Sequence, residues 1–302
     1  MQELFRPCKN STIRYTQCCM QEGNPSKTAF GVARRRAAHQ ILDQQPLVLT
    51  DPIAVSILGP QAAASIRAEA EKHNSPSGRA MRSFMVARSR YAEEQLATAI
   101  AAGAAQYVIL GAGLDTFAYR NPYARLKVFE VDHPATQEWK RYQLSQALIE
   151  IPASLTFVPL NFEKQTLREG LKQTTFDSAK PGFFSWLGVT PYLTLDAFRA
   201  TIQVIASMPQ GSGVTFEYVL DRSLFSFREK MAFDVIAERV AAAGEPFQLF
   251  FSPDAMEQEL HTAGFTRTEE LTSANLNDRY FGDRRDQLKI QGNVARLITA
   301  WV

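Results

Sequence analysis

The apolar run Tyr107-Val108-Ile109-Leu110 breaks on Gly111-Ala112-Gly113, and this junction constrains the fold more than any other stretch of the chain. Successive apolar residues without polar alternation suit a strand covered on both faces. Glycines directly after it suit a tight turn where a ligand can approach the backbone closely. A second strand, Lys127 to Asp132, ends in an acid about 20 residues past the first glycine, where a carboxylate can accept hydrogen bonds from ribose hydroxyls. Asp132 also precedes His133-Pro134, so a carboxylate favoured by a helix N-terminus is a second reading, compatible with the first.

The pattern continues downstream. Leu155 to Asn161, Gly182 to Gly188 and Gly213 to Leu220 read as strands, separated by helical stretches around Glu163 to Gln173 and Thr194 to Ser207. Strands alternating with helices predict an α/β fold, a mostly parallel sheet covered on both faces. Phe247 to Phe251 reads as a short aromatic strand, Ser252-Pro253-Asp254 opens a helix that ends at Gly264, and Thr266 to Leu271 returns as a strand. Before Gly103 the signals are helical: an Ala- and Arg-rich stretch from Thr28 to Gln44, a helix start at Thr50-Asp51-Pro52, and a long helix from Gly78 to Ala102. Two segments are therefore expected, a helical cap over 1–103 and a Rossmann-like domain over 104–302.

Composition narrows the partners. With 33 Lys and Arg against 31 Asp and Glu, the formal charge of +2 supplies no field that would draw nucleic acid or a membrane surface. The N-terminus lacks a secretory pattern, and the most apolar long window, Leu96 to Leu114, is mostly Ala and Gly, so a cytoplasmic protein that does not enter the membrane is expected. Cys8, Cys18 and Cys19 lie in the first twenty residues without a zinc-site spacing, which predicts reduced thiols and no metal.

The same strand, turn and acid also serve NAD(P)-dependent oxidoreductases. That use wants a small residue where Thr116 stands, and Asp115 beside the turn would repel a pyrophosphate. A zwitterionic amino-acid cofactor carries an ammonium and no phosphate. Against this background VILGAGLDTFAYR, VFEVDHPATQEWKR and FFSWLGVTPYLT, with TAFGVARRRAAHQ, TDPIA, ARSRYAEEQL, GFTRTEEL and RYFGDR, resemble the leucine carboxyl methyltransferase-related family of bacterial S-adenosylmethionine-dependent methyltransferases.

The resemblance implies a class I methyltransferase sheet, mostly parallel with an antiparallel C-terminal strand, capped by N-terminal helices. It implies S-adenosylmethionine as cofactor and S-adenosylhomocysteine as product. Carried over by position, Gly111, Ala112 and Gly113 would line the methionine side and Asp132, beside His133, would hold the ribose. Asn161 and Phe162 would contact the adenine, where the family usually has Asp-Leu, and Arg88 would pair with the cofactor carboxylate. Leu187 stands where related enzymes have a Glu near the ammonium, leaving that contact to Asp115 or a backbone carbonyl.

For the acceptor, a small molecule, the candidates are Tyr192, Tyr218, Arg279 and Tyr280. In-line methyl transfer needs alignment and exclusion of water, and a carboxylate acceptor needs no general base. None of His39, His73, His133 and His261 sits in a motif suited to that role, so O-methylation, preferably of a carboxylate and otherwise of a hydroxyl, is expected. A noncatalytic cofactor-binding protein is the other reading that Asn161 and Leu187 leave open.

Overall fold

The computed structural model describes residues 26–162 and 164–302. Cys8, Cys18 and Cys19 lie outside the described residues, so their expected state as thiols is not addressed. The chain begins with five helices: α1 (Lys27–Leu42), α2 (Ile53–Ser56), α3 (Ala62–Ala68), α4 (Ala70–Asn74) and α5 (Pro76–Ala101). Ser26 caps α1 by accepting from the Ala29 amide, and Ser75 caps α5 by accepting from Gly78, with Pro76 in the first turn where its missing N–H costs nothing. Asp51 opens α2, its carboxylate accepting from the Ala54 amide. The 26-residue α5 buries Val86, Ala87, Tyr91, Leu96 and Ala99.

The sheet follows, as β1 (Gln106–Leu110), β2 (Lys127–Asp132), α6 (Pro134–Gln146), β3 (Leu155–Pro159), α7 (Leu167–Lys172), β4 (Phe183–Trp186), α8 (Leu195–Ala206) and β5 (Gly213–Leu220). It is completed by α9 (Phe227–Ala242), β6 (Phe250–Phe251), α10 (Pro253–Ala263), β7 (Arg267–Leu271), α11 (Ser273–Tyr280) and β8 (Ala295–Trp301). The strand order is β3-β2-β1-β4-β5-β8-β7, with β6 paired to the end of β5. All pairs among β1 to β6 are parallel, and β8 runs antiparallel between β5 and β7. The expected mostly parallel sheet with an antiparallel C-terminal strand is the one observed. The order reverses between β1 and β4, the switch point outside which open α/β sheets bind their ligands.

One face packs on α8 and α10. There Trp186 stacks on Phe198 at 5.6 Å, and Phe216 and Phe251 close around them. The other face is covered by α5, which shares a core cluster with Leu276, Phe281, Leu288 and Leu297 from the far end of the chain. Position 103 thus separates helical from sheet-forming sequence, while the hydrophobic core runs across it. No described helix is long and apolar enough to cross a membrane, and no metal-ligand cluster occurs among the described residues.

Candidate functional site

A cavity of about 680 Å³ lies over the C-terminal ends of the strands, roofed by α1. Its floor is the turn after β1. Gly111 and Gly113 both adopt positive φ, 63° and 48°, which suits glycine at little cost. The amides of Gly111 and Ala112 donate to Val131 O at 2.8 and 3.2 Å, folding the turn across the end of β2. A Cβ on Gly111 would lie 2.2 Å from Cγ2 of Val189, and one on Gly113 would lie 3.0 Å from Cβ of Ala29 on α1. The glycines therefore admit the cap and the loop after β4 as well as leaving space for a ligand.

Asp132 ends β2 at the cavity wall. Its Oδ2 accepts from the Gly113 amide and its Oδ1 from the His133 amide at 2.6 Å. Burial pushes this carboxyl up, against the lowering pull of those two amides. His133 lines the cavity and caps α6, its Nδ1 accepting from the Ala135 amide at 3.3 Å. Asn161 and Phe162 border the cavity after β3.

On the opposite side, beyond β4, Leu187, Gly188 and Arg88 form the wall. Arg88 is ion-paired through Nη1 to Glu217, a buried residue of β5 whose Oε1 also accepts from the Gly188 amide at 2.6 Å. Burial pushes the Glu217 carboxyl up while Arg88 opposes it. Farther out, Tyr192 on a 3-10 turn, Thr28 at the start of α1, and Glu245 and Gln248 in the connection between α9 and β6 complete the rim. The Thr28 hydroxyl donates to Glu245 Oε2, 217 positions away in sequence.

A charged lattice fixes the roof. Arg36 of α1 pairs with Asp51 at 2.6 Å and Asp115 at 2.8 Å, and donates to Thr116 Oγ1 at 2.9 Å. Thr116 in turn donates to Asp51, and Arg120 joins the lattice through Asp51 at 3.4 Å and through Glu93 of α5. Burial alone would raise the Asp115 carboxyl, but Arg36, Lys140 and Arg120 outweigh it and hold it at about 2.

This geometry meets independent likeness to known proteins. The sequence pattern of the leucine carboxyl methyltransferase family matches residues 29–206. The chain belongs to that family. A Bacillus subtilis (strain 168) protein, provisionally named the S-adenosyl-L-methionine-dependent methyltransferase YktD, is 39% identical over 207 residues, 67% of each chain. A Mycobacterium marinum protein of the same provisional description is 35% identical over 179 residues, 55% of this chain and 56% of that one. Among solved structures, a provisionally named methyltransferase from Thermobifida fusca aligns with a TM-score of 0.55 at 14% identity, covering 93% of this chain and 96% of that one. A Streptomyces avermitilis protein aligns at 0.52 and 15%, covering 88% and 96%. At such identities these two structures speak for the fold alone.

Within the leucine carboxyl methyltransferase family the cofactor is S-adenosylmethionine, and the dinucleotide and noncatalytic readings give way to a methyltransferase. The fold brings Arg88, Gly111, Ala112, Gly113, Asp115, Asp132, His133, Asn161, Phe162, Leu187 and Tyr192 to one cavity. Three of the four acceptor candidates need relocating or fall elsewhere. Tyr218 is buried within β5 and donates to Glu270 at 2.5 Å on the far side of the strand. Arg279 and Tyr280 sit on α11, both bonded to Glu94 of α5 at 2.9 and 2.8 Å. Two acids that sequence reasoning missed matter here. Glu217 could have been noticed as the one charge inside the strand GVTFEYVL; Glu245 carries no motif and is found only by folding.

Proposed function

We propose that this methyltransferase moves a methyl group onto an oxygen of a small metabolite, with the nucleoside of its cofactor over β3 and β2 and the acceptor beyond β4. The observation that carries the reading is Asp132 at the cavity wall. Each carboxylate oxygen takes one backbone N–H, and a carboxylate offers about four lone-pair sites, so capacity for two ribose hydroxyls is left on a rigid support. The cavity has the size of a small-molecule site, roughly 300–1,000 Å³. Its chemistry fits the cofactor: a carboxylate at the ribose position, aromatic Phe162 beyond it, and the guanidinium of Arg88 at the opposite side.

S-adenosylmethionine supplies a methyl group on a positively charged sulfur. Arg88 has donors beyond the one given to Glu217 and would hold the cofactor carboxylate. Asp115 is engaged by Arg36, so the cofactor ammonium would fall to main-chain carbonyls near Leu187. Ala29 and Val189, seated on the glycine turn, exclude water from the reacting groups, and the rigid strand ends align them.

Calorimetry with S-adenosylhomocysteine tests the reading. The wild-type chain should bind it, and Asp132→Ala should weaken binding by roughly 10- to 100-fold, the worth of a hydrogen bond to a charged group. Stabilisation against heat by NAD(P) with none by S-adenosylhomocysteine or S-adenosylmethionine would reverse the conclusion.

A further inference from the structure

We propose that the methyl acceptor is a hydroxyl group, on a phenol or alcohol, and that Glu245 takes its proton as the oxygen is methylated. This inference rests on the function proposed above and adds the acceptor class and the proton acceptor.

Strand order orients the cavity. Passing from β3 through β2 and β1 to β4, the nucleoside positions come first and the turn under the methionine next, so the acceptor end is the region past Gly188. The side chains there include Tyr192, Thr28, Glu245 and Gln248, with Arg88 and the apolar Val189, Leu193 and Pro246. The Thr28 hydroxyl donates to Glu245, and Tyr192 lines the same end of the cavity.

Glu245 is held in place although it lies in a connection. Gln248 ties residues 244–248 to the turn after β4, its amide donating to Pro191 O and its side chain to Tyr192 O, both at 2.7 Å. Tyr192 stacks on Phe247 at 5.2 Å, and Phe247 on Phe233 of α9 at 5.2 Å. An anchored carboxylate at the acceptor end is what a proton-transfer role requires.

Charge separates the acceptor classes. Among the described residues, the cation lining this end is Arg88, and Glu217 already engages it. Arg35 and Arg239 lie nearby, close enough to repel one another, but do not line the cavity. A carboxylate acceptor would meet Glu245 with no unshared cation on the wall of this end to offset the repulsion, whereas a hydroxyl finds an acceptor for its proton. In the balanced step, an oxygen lone pair forms the bond to the methyl carbon. The carbon–sulfur bond breaks with its pair retained by sulfur, and the hydroxyl proton passes to the Glu245 carboxylate.

The test uses the full chain with tritium-labelled methyl donor and acceptors that carry both functions, 4-hydroxybenzoate and 4-hydroxycinnamate, together with simple phenols, alcohols and amines. Label is expected in base-stable ethers. Base-labile esters, N-methyl products, or no label on any hydroxyl would overturn the proposal. Glu245→Gln should lower turnover of an ordinary phenol by at least about 100-fold, the lower bound of general-base assistance, and should not lower that of an acidic nitrophenol already ionised, which has no proton to give and which the Glu245 charge would repel.

A readout independent of turnover comes from 4-nitrophenol bound to the S-adenosylhomocysteine complex. Its absorbance should show the bound phenol titrating at higher pH than the free one, with Glu245→Gln removing the displacement. A downward displacement, or one that survives the substitution, would overturn the proposal. S-adenosylhomocysteine affinity within twofold of wild type in Glu245→Gln shows that the variant is folded. Absence of that affinity in the wild type itself would instead defeat the broader reading.

Discussion

Asp115 shows how one residue can be recruited to a different task from the one its position suggests. It lies beside the glycine turn, yet its carboxylate faces Arg36 at 2.8 Å and accepts the Phe117 amide at 2.8 Å. Its folded pKa of about 2 lies below the unfolded value of about 3.9. The pair therefore contributes fully above pH ~4 and is lost as pH falls through the folded value. Asp115→Asn should cost about 2 kcal/mol near neutrality, with the gap to wild type closing between pH ~4 and ~2; urea titrations at stepped pH measure it. At this scale legibility depends on parity. Asp132 could be placed at the cavity wall because it is the last residue of a strand, and the cavity lies over the strand ends. Tyr218 misled because successive strand residues point to opposite faces: it is Glu217, one position earlier, that meets Arg88, while Tyr218 turns to Glu270.

Elements explain why the cap sits where it does. Helix α1 rests on the turn after β1, Ala29 above Gly113, and Arg36 ties it to the start of α2 and to the same turn. Gly113→Ala should lift this contact, costing about 1–3 kcal/mol through the left-handed backbone and the 3.0 Å approach to Ala29, and Ala29→Gly should recover only the steric part. Hydrogen exchange should rise along residues 27–42 in the single variant. Helix α8 was legible because Thr194 caps it and Phe198, Ile202 and Ile205 recur at helical spacing on its buried side. Helix α9 was not placed from sequence, because Phe227, Met231 and Val235 leave apolar side chains exposed and blur the two-faced pattern. Strand β8 was expected only as a C-terminal strand without a position, since its pairing depends on partners far away, Gly213 to Val219 on one side and Arg267 to Leu271 on the other. The lattice of Arg36, Asp51, Thr116 and Glu93 is invisible for the same reason: its members are scattered over 80 positions.

For the whole molecule, the sequence divides near 103 but the core does not. Tyr91 of α5 accepts from Thr299 of β8 at 3.2 Å and packs with Leu276, Phe281 and Leu297. We propose that the two segments form one folding unit. A chain beginning at residue 104 should lose its cooperative thermal transition in circular dichroism, whereas a transition near the wild-type temperature would establish an autonomous sheet domain. The bond from Thr28 to Glu245 has a wider consequence. It joins the roof to a connection that contributes no strand to the floor, so one end of the cavity is written in strand termini, where every change disturbs the sheet, and the other in a short loop. On the acceptor placement proposed above, exchange of residues 244–248 would change the acceptor while leaving the residues at the strand ends untouched.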